Sequence, residues 1–578
     1  TQRDLLAGII SREYALKYML PKRVADAHNR GLLHYHDLDY SPMFGSYNCQ
    51  LMGYKRMLED GFTLGGVDIE TPKSIRTACT VLTQIMAGIA SASYGGLSAN
   101  NIDITLAPYV NKSYKTYLKE AQKESYNNPE DYAKRKTTKE VYDSFQCLEY
   151  QVNTLSTTNG QAPFSTLGFG LGTSWEEKLI QKTILQVRLK GIGNKRKTPT
   201  FPKLCFVLKE GLNLKPEDPN YEIKQLALEC QRKRIYPDFL NYEKVVEVTG
   251  SFKVPMGCRS FLGQYFNDKG EEIIDSRNNL GVVSISPLLC ALESENVEQF
   301  WVKLEEGLDI AKEALMYRIE RFNTVTADAA PILYQKGSLN VNLSKSELVA
   351  DTFKNGFSSI SLGFLGLHET VVQLTGKAPY DCQGSYKLQM DILKKLEDKT
   401  VQWKNETGYG FSTYSTPNEN TSNRMVKMYK DKFGCIKGVT DHIYLTNSFH
   451  LFPEKSMSAF DKIDFEAPFI KHSSGGFVTT VETPNMERNK VAHEALVDYA
   501  YTKVPYFLIN QPVDECYKCG FEGELKGTSE GYECPVCGNS EVGTMCCIRR
   551  VSGYISEPDA RPFNPAKQNE VINRVKHM

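Results

Sequence analysis

The sequence predicts an α/β protein with a large core followed by a small C-terminal unit. Three observations carry that expectation. Helix-period segments alternate with short apolar runs over most of the chain, the pattern of a largely parallel sheet, open or closed into a barrel. The 578 residues exceed what one ordinary core holds. Near Val504 the long periodic segments give way to turn residues and paired cysteines, which divides the chain into residues 1–503 and 504–578.

Residues 12–30 read as two short helices split by Pro21, the second ending near Gly31. The stretch 33–40 alternates apolar and polar residues, as a strand edge does, and carries His34, His36 and Asp37. Local hydrogen bonding is the plain role for these histidines, since a metal there lacks an evident third ligand. Thr71-Pro72 opens a helix that runs to Gly95-Gly96, with a capping threonine and proline at the first helical position. Its apolar face takes in Ile75, Cys79, Leu82, Ile85 and Ile89. Helices over 109–123 and, from a Thr137-x-x-Glu140 capping box, to about Leu155 complete a bundle within residues 71–155. Such a surface suits an isologous dimer contact.

Farther on, Ser174-x-x-Glu177 opens a helix, and 221–235 and 297–322 are helical. Residues 204–208, 281–285 and 358–367 read as buried strands. Gly168, Gly170 and Gly172 lack the Rossmann spacing and an acidic follow-up, so they read as backbone packing at a strand. No internal repeat is evident.

Charge and composition exclude several classes. Lysine plus arginine equal aspartate plus glutamate at 69 each, so no field draws in polymeric nucleic acid. Lys195-Arg196-Lys197 reads as a solvated loop. A mean hydropathy of −0.39 describes a soluble protein with no apolar run of membrane-span length and no signal peptide. The 15 cysteines then suggest reduced thiols in a cytoplasm, the host's if the chain is viral. Cys79 and Cys290 fit apolar helical surroundings and read as core. Because the first residue is Thr1 and not methionine, a regulatory module ahead of it is left open. P-loop and His-Glu-x-x-His motifs are missing, which removes support for nucleotide hydrolysis and zinc proteolysis.

Two tail motifs carry chemistry. Cys516-x-x-Cys519 and Cys534-x-x-Cys537, each followed by glycine, offer four thiolates on two tight knuckles, a set that suits structural Zn(II) with no open position. Iron also accepts four sulfurs, and two disulfides are the remaining reading. Cys546-Cys547, beside the knuckles, reads as packing or local redox tuning. Arg550-Val551-Ser552-Gly553-Tyr554 resembles the signature of glycyl radical enzymes. Only glycine, with no Cβ, lets its Cα flatten so that an unpaired electron spreads over both flanking amides. An ordinary turn glycine is the alternative.

Cys258 sits behind Pro255-Met256-Gly257, on a turn that permits close backbone approach. Alone it would be a routine loop thiol. Taken with His34-x-His36-Asp37, Asn48-Cys49, Arg259-Ser260-Phe261-Leu262, Asn278-Asn279-Leu280-Gly281, Thr446-Asn447-Ser448-Phe449-His450 and the tail, it resembles the large subunit of anaerobic (class III) ribonucleoside-triphosphate reductases, over nearly the whole chain.

The resemblance implies a ten-stranded α/β barrel of the glycyl radical enzyme and ribonucleotide reductase type. It implies that Gly553 stores the radical, generated by an S-adenosylmethionine-dependent iron-sulfur activase, and that Cys258 relays it as a thiyl to the ribose 3′ hydrogen. Cys49 would donate a proton or hydrogen from the opposite ribose face, Asn279 would hold the ribose hydroxyls, and Met256 would lie beside Cys258. The amide at Asn279 cannot serve as a carboxylate base, and in the branch that this chain resembles formate is the reductant. Thr446, Asn447 and Ser448 would receive the substrate triphosphate ahead of a helix-like stretch, or else form a simple capped turn, and His36 would belong to the substrate-binding set. Glu70, Lys73 and Gln84 would help bind a deoxynucleoside triphosphate effector at a homodimer contact, though each alone fits a solvated helix face. Another glycyl radical enzyme, such as an acyl lyase, and a zinc-knuckle binding module on an α/β scaffold are the competing readings.

Overall fold

In the computed structural model, which describes residues 2–157, 160, 162–528, 531–551, 554–556 and 564–577, the apolar runs become strands of one mixed sheet. The first are β1 (Leu33–Tyr35) and β2 (Cys49–Leu51), followed by a separate hairpin, β3 (Phe62–Leu64) and β4 (Val67–Ile69). Then come β5 (Leu97–Ala99), β6 (Ser165–Phe169), β7 (Lys203–Leu208), β8 (Asp238–Asn241) and β9 (Arg277–Ile285). The sheet is completed by β10 (Ser359–Phe364), β11 (Gly410–Tyr414), β12 (Thr479–Glu482) and β13 (Tyr506–Asn510).

The hydrogen-bonded path runs β11-β10-β9-β2-β5-β6-β7-β8-β13-β12, and β1 joins β9 off that path to make eleven strands. Pairing is parallel except at β2–β9, β8–β13 and β1–β9. The two ends of the path meet: Tyr414 of β11 bridges Gly476, just ahead of β12, and the Gly475 N–H donates to the Thr413 carbonyl at 2.8 Å. Every residue of β9 is buried, as expected of a strand covered on both faces. Gly168 packs in β6 where a Cβ would lie 2.2 Å from Val254, so the glycine-rich run serves close packing as expected.

Helices cover the sheet, and the strongest local start signal decides where each begins. Ser74, in an extended conformation, accepts from the Thr77 N–H and caps helix Ile75–Ala92. Thr71 is not the cap, because its hydroxyl donates to the Glu59 carbonyl at 2.7 Å. Helix Pro129–Thr154 starts at Asn128-Pro129, a side-chain cap with proline at the first position. The Thr137 and Glu140 pair therefore falls inside that helix and is buried, not a capping box. Helix Ile102–Lys123 begins ahead of 109 and runs through Pro108. The Ser174 and Glu177 capping box forms as expected. Among the described residues one helix, Ile75–Ala92, is long and apolar enough to cross a membrane by composition, contrary to expectation, and 56% of it is buried in this fold. It is a core helix packed on Ile102–Lys123 and Pro129–Thr154.

The tail adds β14 (Asp514–Cys516), β15 (Phe521–Gly523), β16 (Lys526–Thr528), β17 (Gly531–Glu533) and β18 (Met545–Cys546). It ends in a hairpin of β19 (Arg549–Val551) and β20 (Tyr554–Ser556), then helix Pro565–Asn573. The basic loop is more than solvated, because Lys195 Nζ donates to the Gly543 carbonyl at 2.7 Å and so touches this tail.

Candidate active site

Three neighbouring strands align the first site residues. Cys49 of β2 lies opposite Asn279 of β9, which in turn lies opposite Ser359 of β10. Ser359 and Ser361, two residues apart on β10, share a face, and the register shifts between them so that both hydroxyls reach one amide. Asn279 Nδ2 donates to Ser359 Oγ at 2.8 Å and Ser361 Oγ at 2.9 Å, and its Oδ1 accepts from Asn48 Nδ2 at 3.3 Å. The amide is thus held by serines that its own motif does not reveal.

Above this row sits the cysteine turn. Met256 and Ser260 exchange both backbone hydrogen bonds, at 2.7 and 3.2 Å, which pinches the chain and puts Gly257 and Cys258 at the tip. Gly257 has φ +56°. Its missing Cβ would lie 3.2 Å from Cys49 Sγ, and a Cβ on Gly96 would lie 2.2 Å from the Gly257 Cα. Two glycines therefore let the turn rest on β2 and β5 at backbone contact. Met256 is buried beside the tip, and Ser98 Oγ donates to the Pro255 carbonyl at 2.7 Å.

The turn's carbonyls are held by buried cations. Lys203 Nζ donates to the Cys258 carbonyl at 3.1 Å, Lys253 Nζ to Leu262 at 3.0 Å and Arg277 Nη1 to Gly263 at 2.8 Å. Burial lowers Lys253 to about 7. Cys258 itself is half-buried, whereas Cys49 is buried and accepts from the Gly96 N–H at 3.3 Å. Burial pushes the Cys49 thiol up to about 12, and Cys258 adds to that rise. Cys49 therefore keeps its proton at neutral pH and is suited to give one up only to a strong acceptor.

A hydrogen-bond run links two of the substrate-binding expectations. His36 Nε2 lies 2.8 Å from Ser284 Oγ, Ser284 Oγ donates to Thr416 Oγ1 at 3.2 Å, and Ser448 Oγ donates to the Thr416 carbonyl at 2.9 Å. Burial, then the charges of Arg318 and Arg424, lowers His36 to about 3, so it is neutral. Asn447 Oδ1 accepts from the Asn418 N–H at 3.1 Å. Thr446 directs its N–H and hydroxyl to Glu369 Oε1, at 2.7 and 2.6 Å. Burial raises Glu369 to about 7. The helix expected after this segment is absent: the backbone turns at Ser448, with φ +50°, and the next helix begins only at Ala459.

Glu70 and Lys73 lie exposed just ahead of helix Ile75–Ala92 and form a loose ion pair at 3.8 Å. Gln84 lies on that helix's exposed face.

In the tail, Cys516, Cys519, Cys534 and Cys537 converge with all four Sγ atoms within 4.8 Å. Cys516 and Cys537 sulfurs are 3.7 Å apart, and those of Cys519 and Cys534 3.6 Å. A tetrahedral zinc with bonds of about 2.3 Å has sulfur edges of about 3.8 Å, so these residues fit the ion. None of the fifteen cysteines is in a disulfide, which removes the disulfide reading. The Gly520 and Gly538 N–H groups fold each knuckle back onto the Cys516 and Cys534 carbonyls, and Asn539 Nδ2 donates to Cys516 Sγ at 3.5 Å. Arg234 ties this unit to the core through Glu515 at 2.7 Å. Cys546 and Cys547 are buried beside it, and Cys79 and Cys290 are buried in the main core. Gly553, between β19 and β20, lies outside the described residues.

Known proteins resemble this chain over its whole length. A family profile described as "Anaerobic ribonucleoside-triphosphate reductase" matches residues 1–577. The chain is 53% identical over 580 residues to the Escherichia coli K12 protein of that name, covering all of this chain and 82% of that protein. It is 45% identical to the Enterobacteria phage T4 protein of that name, covering all of this chain and 95% of the other. A solved Thermotoga maritima anaerobic ribonucleotide reductase in complex with dATP and CTP shares the fold, with a TM-score of 0.69, 18% identity, and coverage of 98% of this chain and 90% of that one. With more than nine-tenths of its residues matched by that profile, the chain belongs to the anaerobic ribonucleoside-triphosphate reductase family.

Proposed function

We propose that this protein reduces ribonucleoside triphosphates to 2′-deoxyribonucleoside triphosphates through a radical relayed from Gly553 to Cys258. One observation carries this reading: the glycine-seated turn that bears Cys258 rests against the Cys49 sulfur, and Cys49 in turn lies opposite Asn279 in the β2–β9 pair. Cys258 gives its sulfhydryl hydrogen to the Gly553 Cα, and the resulting thiyl takes the 3′ hydrogen of ribose. That weakens the 2′ C–O bond, and the hydroxyl leaves as water with a proton from Cys49. Asn279, released from Ser359 or Ser361, turns its amide to the ribose hydroxyls. Formate supplies the two reducing electrons and leaves as carbon dioxide.

On this reading the triphosphate lies by His36, Asn447 and Ser448. Thr446 contributes only once its hydrogen bonds to Glu369 are exchanged. Deoxynucleoside triphosphate effectors bind by Glu70, Lys73 and Gln84 at the contact of a homodimer, in the cytoplasm. The meeting of β11 with the segment before β12 supports closure of the path into the ten-stranded barrel. Residues 504–578 form the radical domain, hydrogen-bonded into the main sheet through β13, with structural zinc on the four cysteines. An S-adenosylmethionine-dependent iron-sulfur activase generates the radical.

The test is Cys258→Ser. The variant, activated anaerobically, is expected to show the glycyl doublet in electron paramagnetic resonance and to form no deoxynucleotide. An active variant ends the proposal.

A further inference from the structure

The glycine-bearing hairpin and the cysteine turn are joined by a run of buried polar groups. Arg550 of β19, three residues ahead of Gly553 in sequence, grips Asp238 with both guanidinium nitrogens, at 2.7 and 2.9 Å. Asp238 Oδ2 accepts from Tyr506 Oη at 2.9 Å, and Tyr506 Oη lies 3.3 Å from Lys203 Nζ. Lys203 closes the run on the Cys258 and Gly257 carbonyls, at 3.1 and 3.4 Å. Arg550, Asp238 and Lys203 are each 1% exposed and Tyr506 is fully buried.

The fold makes this run rigid. Lys203, Asp238 and Tyr506 are the first residues of the adjacent strands β7, β8 and β13; Cys205 lies opposite Asp238 and Tyr506 opposite Leu240, so each of the three is two places from its neighbour in register and all share one face of the sheet. Arg550 stacks over Tyr236, 5.0 Å from the ring centroid, which leaves its planar fork one orientation. A bidentate arginine and carboxylate pair fixes direction as well as distance. The run spans from one radical-bearing segment to the other.

We infer that Asp238 and Lys203 are positioning residues that register the Gly553 hairpin against the Cys258 turn for hydrogen-atom transfer. The inference rests on the proposed reductase chemistry. The step is an exchange: the S–H bond of Cys258 breaks as the Cα–H bond of Gly553 forms, and one proton with one electron moves from sulfur to carbon. Hydrogen transfer depends steeply on separation, and misplacement by about 1 Å can cost about 10²-fold. Asp238→Asn keeps the shape and a carbonyl for one arginine nitrogen, but it loses the charge that holds the fork.

The transfer can be watched without turnover. Thiol hydrogens exchange with solvent, so in D2O reversible transfer from Cys258 places deuterium on the Gly553 Cα and collapses the glycyl doublet once the radical returns. Full-length Asp238→Asn and Lys203→Gln, activated anaerobically with the activase and S-adenosylmethionine, are compared with the parent for radical content, doublet collapse and turnover per radical. The expected result is a glycyl radical in both variants, with collapse and turnover per radical slowed together by at least about tenfold. Collapse within twofold of the parent in both variants overturns the inference, as does a correctly melting pair that takes up no radical, which would place these residues in activation instead. Lys203→Gln cuts the run at the Cys258 carbonyl and at Tyr506 while leaving the Arg550 and Asp238 pair in place, so it reads the relay even if Asp238→Asn folds poorly. A parent protein that forms no glycyl radical refutes the reductase reading itself, which separates the two failures.

Discussion

One methyl group placed on Gly96 probes the seat of the cysteine turn. A Cβ there would lie 2.2 Å from the Gly257 Cα, 2.7 Å from the Phe164 ring and 2.9 Å from the Gly257 nitrogen. Carbon atoms in contact rest at about 3.5 Å or more, so the turn must withdraw by about 1.3 Å or β5 must shift by as much. Phe164 can rotate, whereas the Gly257 backbone is pinned by the Met256 and Ser260 hydrogen bonds and by Lys203. Overpacking of this kind costs about 1–3 kcal/mol of stability. The larger effect falls on catalysis, because Cys258 moves with the turn, and a displacement near 1 Å lowers turnover by about 10²-fold. The assay is deoxynucleotide formation per glycyl radical, alongside thermal unfolding of the same Gly96→Ala preparation. Turnover per radical equal to the parent's would refute the claim that backbone contact at Gly96 sets the position of Cys258.

Two further outcomes follow from the tail. Cys516→Ser removes one of four sulfurs, so bound zinc measured by elemental analysis falls, and radical yield falls more than the cooperative unfolding signal of the core; equal losses would deny the knuckle its bracing role. Glu570 is buried, which works against its charge, yet Lys567 and Arg574 hold it down to about 2. A depressed carboxyl stabilises the fold fully above its unfolded value near 4.5, and that contribution is lost as pH falls toward 2. Hydrogen-exchange protection in helix Pro565–Asn573, taken relative to the intrinsic rate at each pH, should therefore fall across this acid window in the parent. Glu570→Gln should flatten the response, and an unchanged profile would contradict the assignment.

Local chemistry made some elements readable in advance. Ser174 and Glu177 formed their box because no stronger start signal competes, and the apolar run 204–208 could only be buried. Thr137 and Glu140 misled because Asn128-Pro129 nucleates the helix earlier, so the same two residues end up mid-helix. The cysteine knuckles and the Cys258 turn were legible as motifs, since each is contiguous. What closes around them was not. Ser359, Ser361 and Asp238 lie far from the motifs in sequence, and only strand pairing brings them in. Lys203 did leave a trace: a lysine heading an otherwise apolar strand asks for a buried partner. The basic loop at Lys195 looked solvated because its acceptor, the Gly543 carbonyl, lies in the distant tail.

The antiparallel join of β2 to β9 has a consequence for how this chain can vary. Side chains along a strand alternate between faces, so a single inserted or deleted residue in either segment would swing the Cys49 sulfur or the Asn279 amide to the opposite side of the sheet. Gln50, which now reaches outward to the Ser338 carbonyl at 2.7 Å, would be turned inward in its place. Length changes are therefore excluded within these few residues even where substitutions are tolerated, and variation in chain length should collect in the connections between strands.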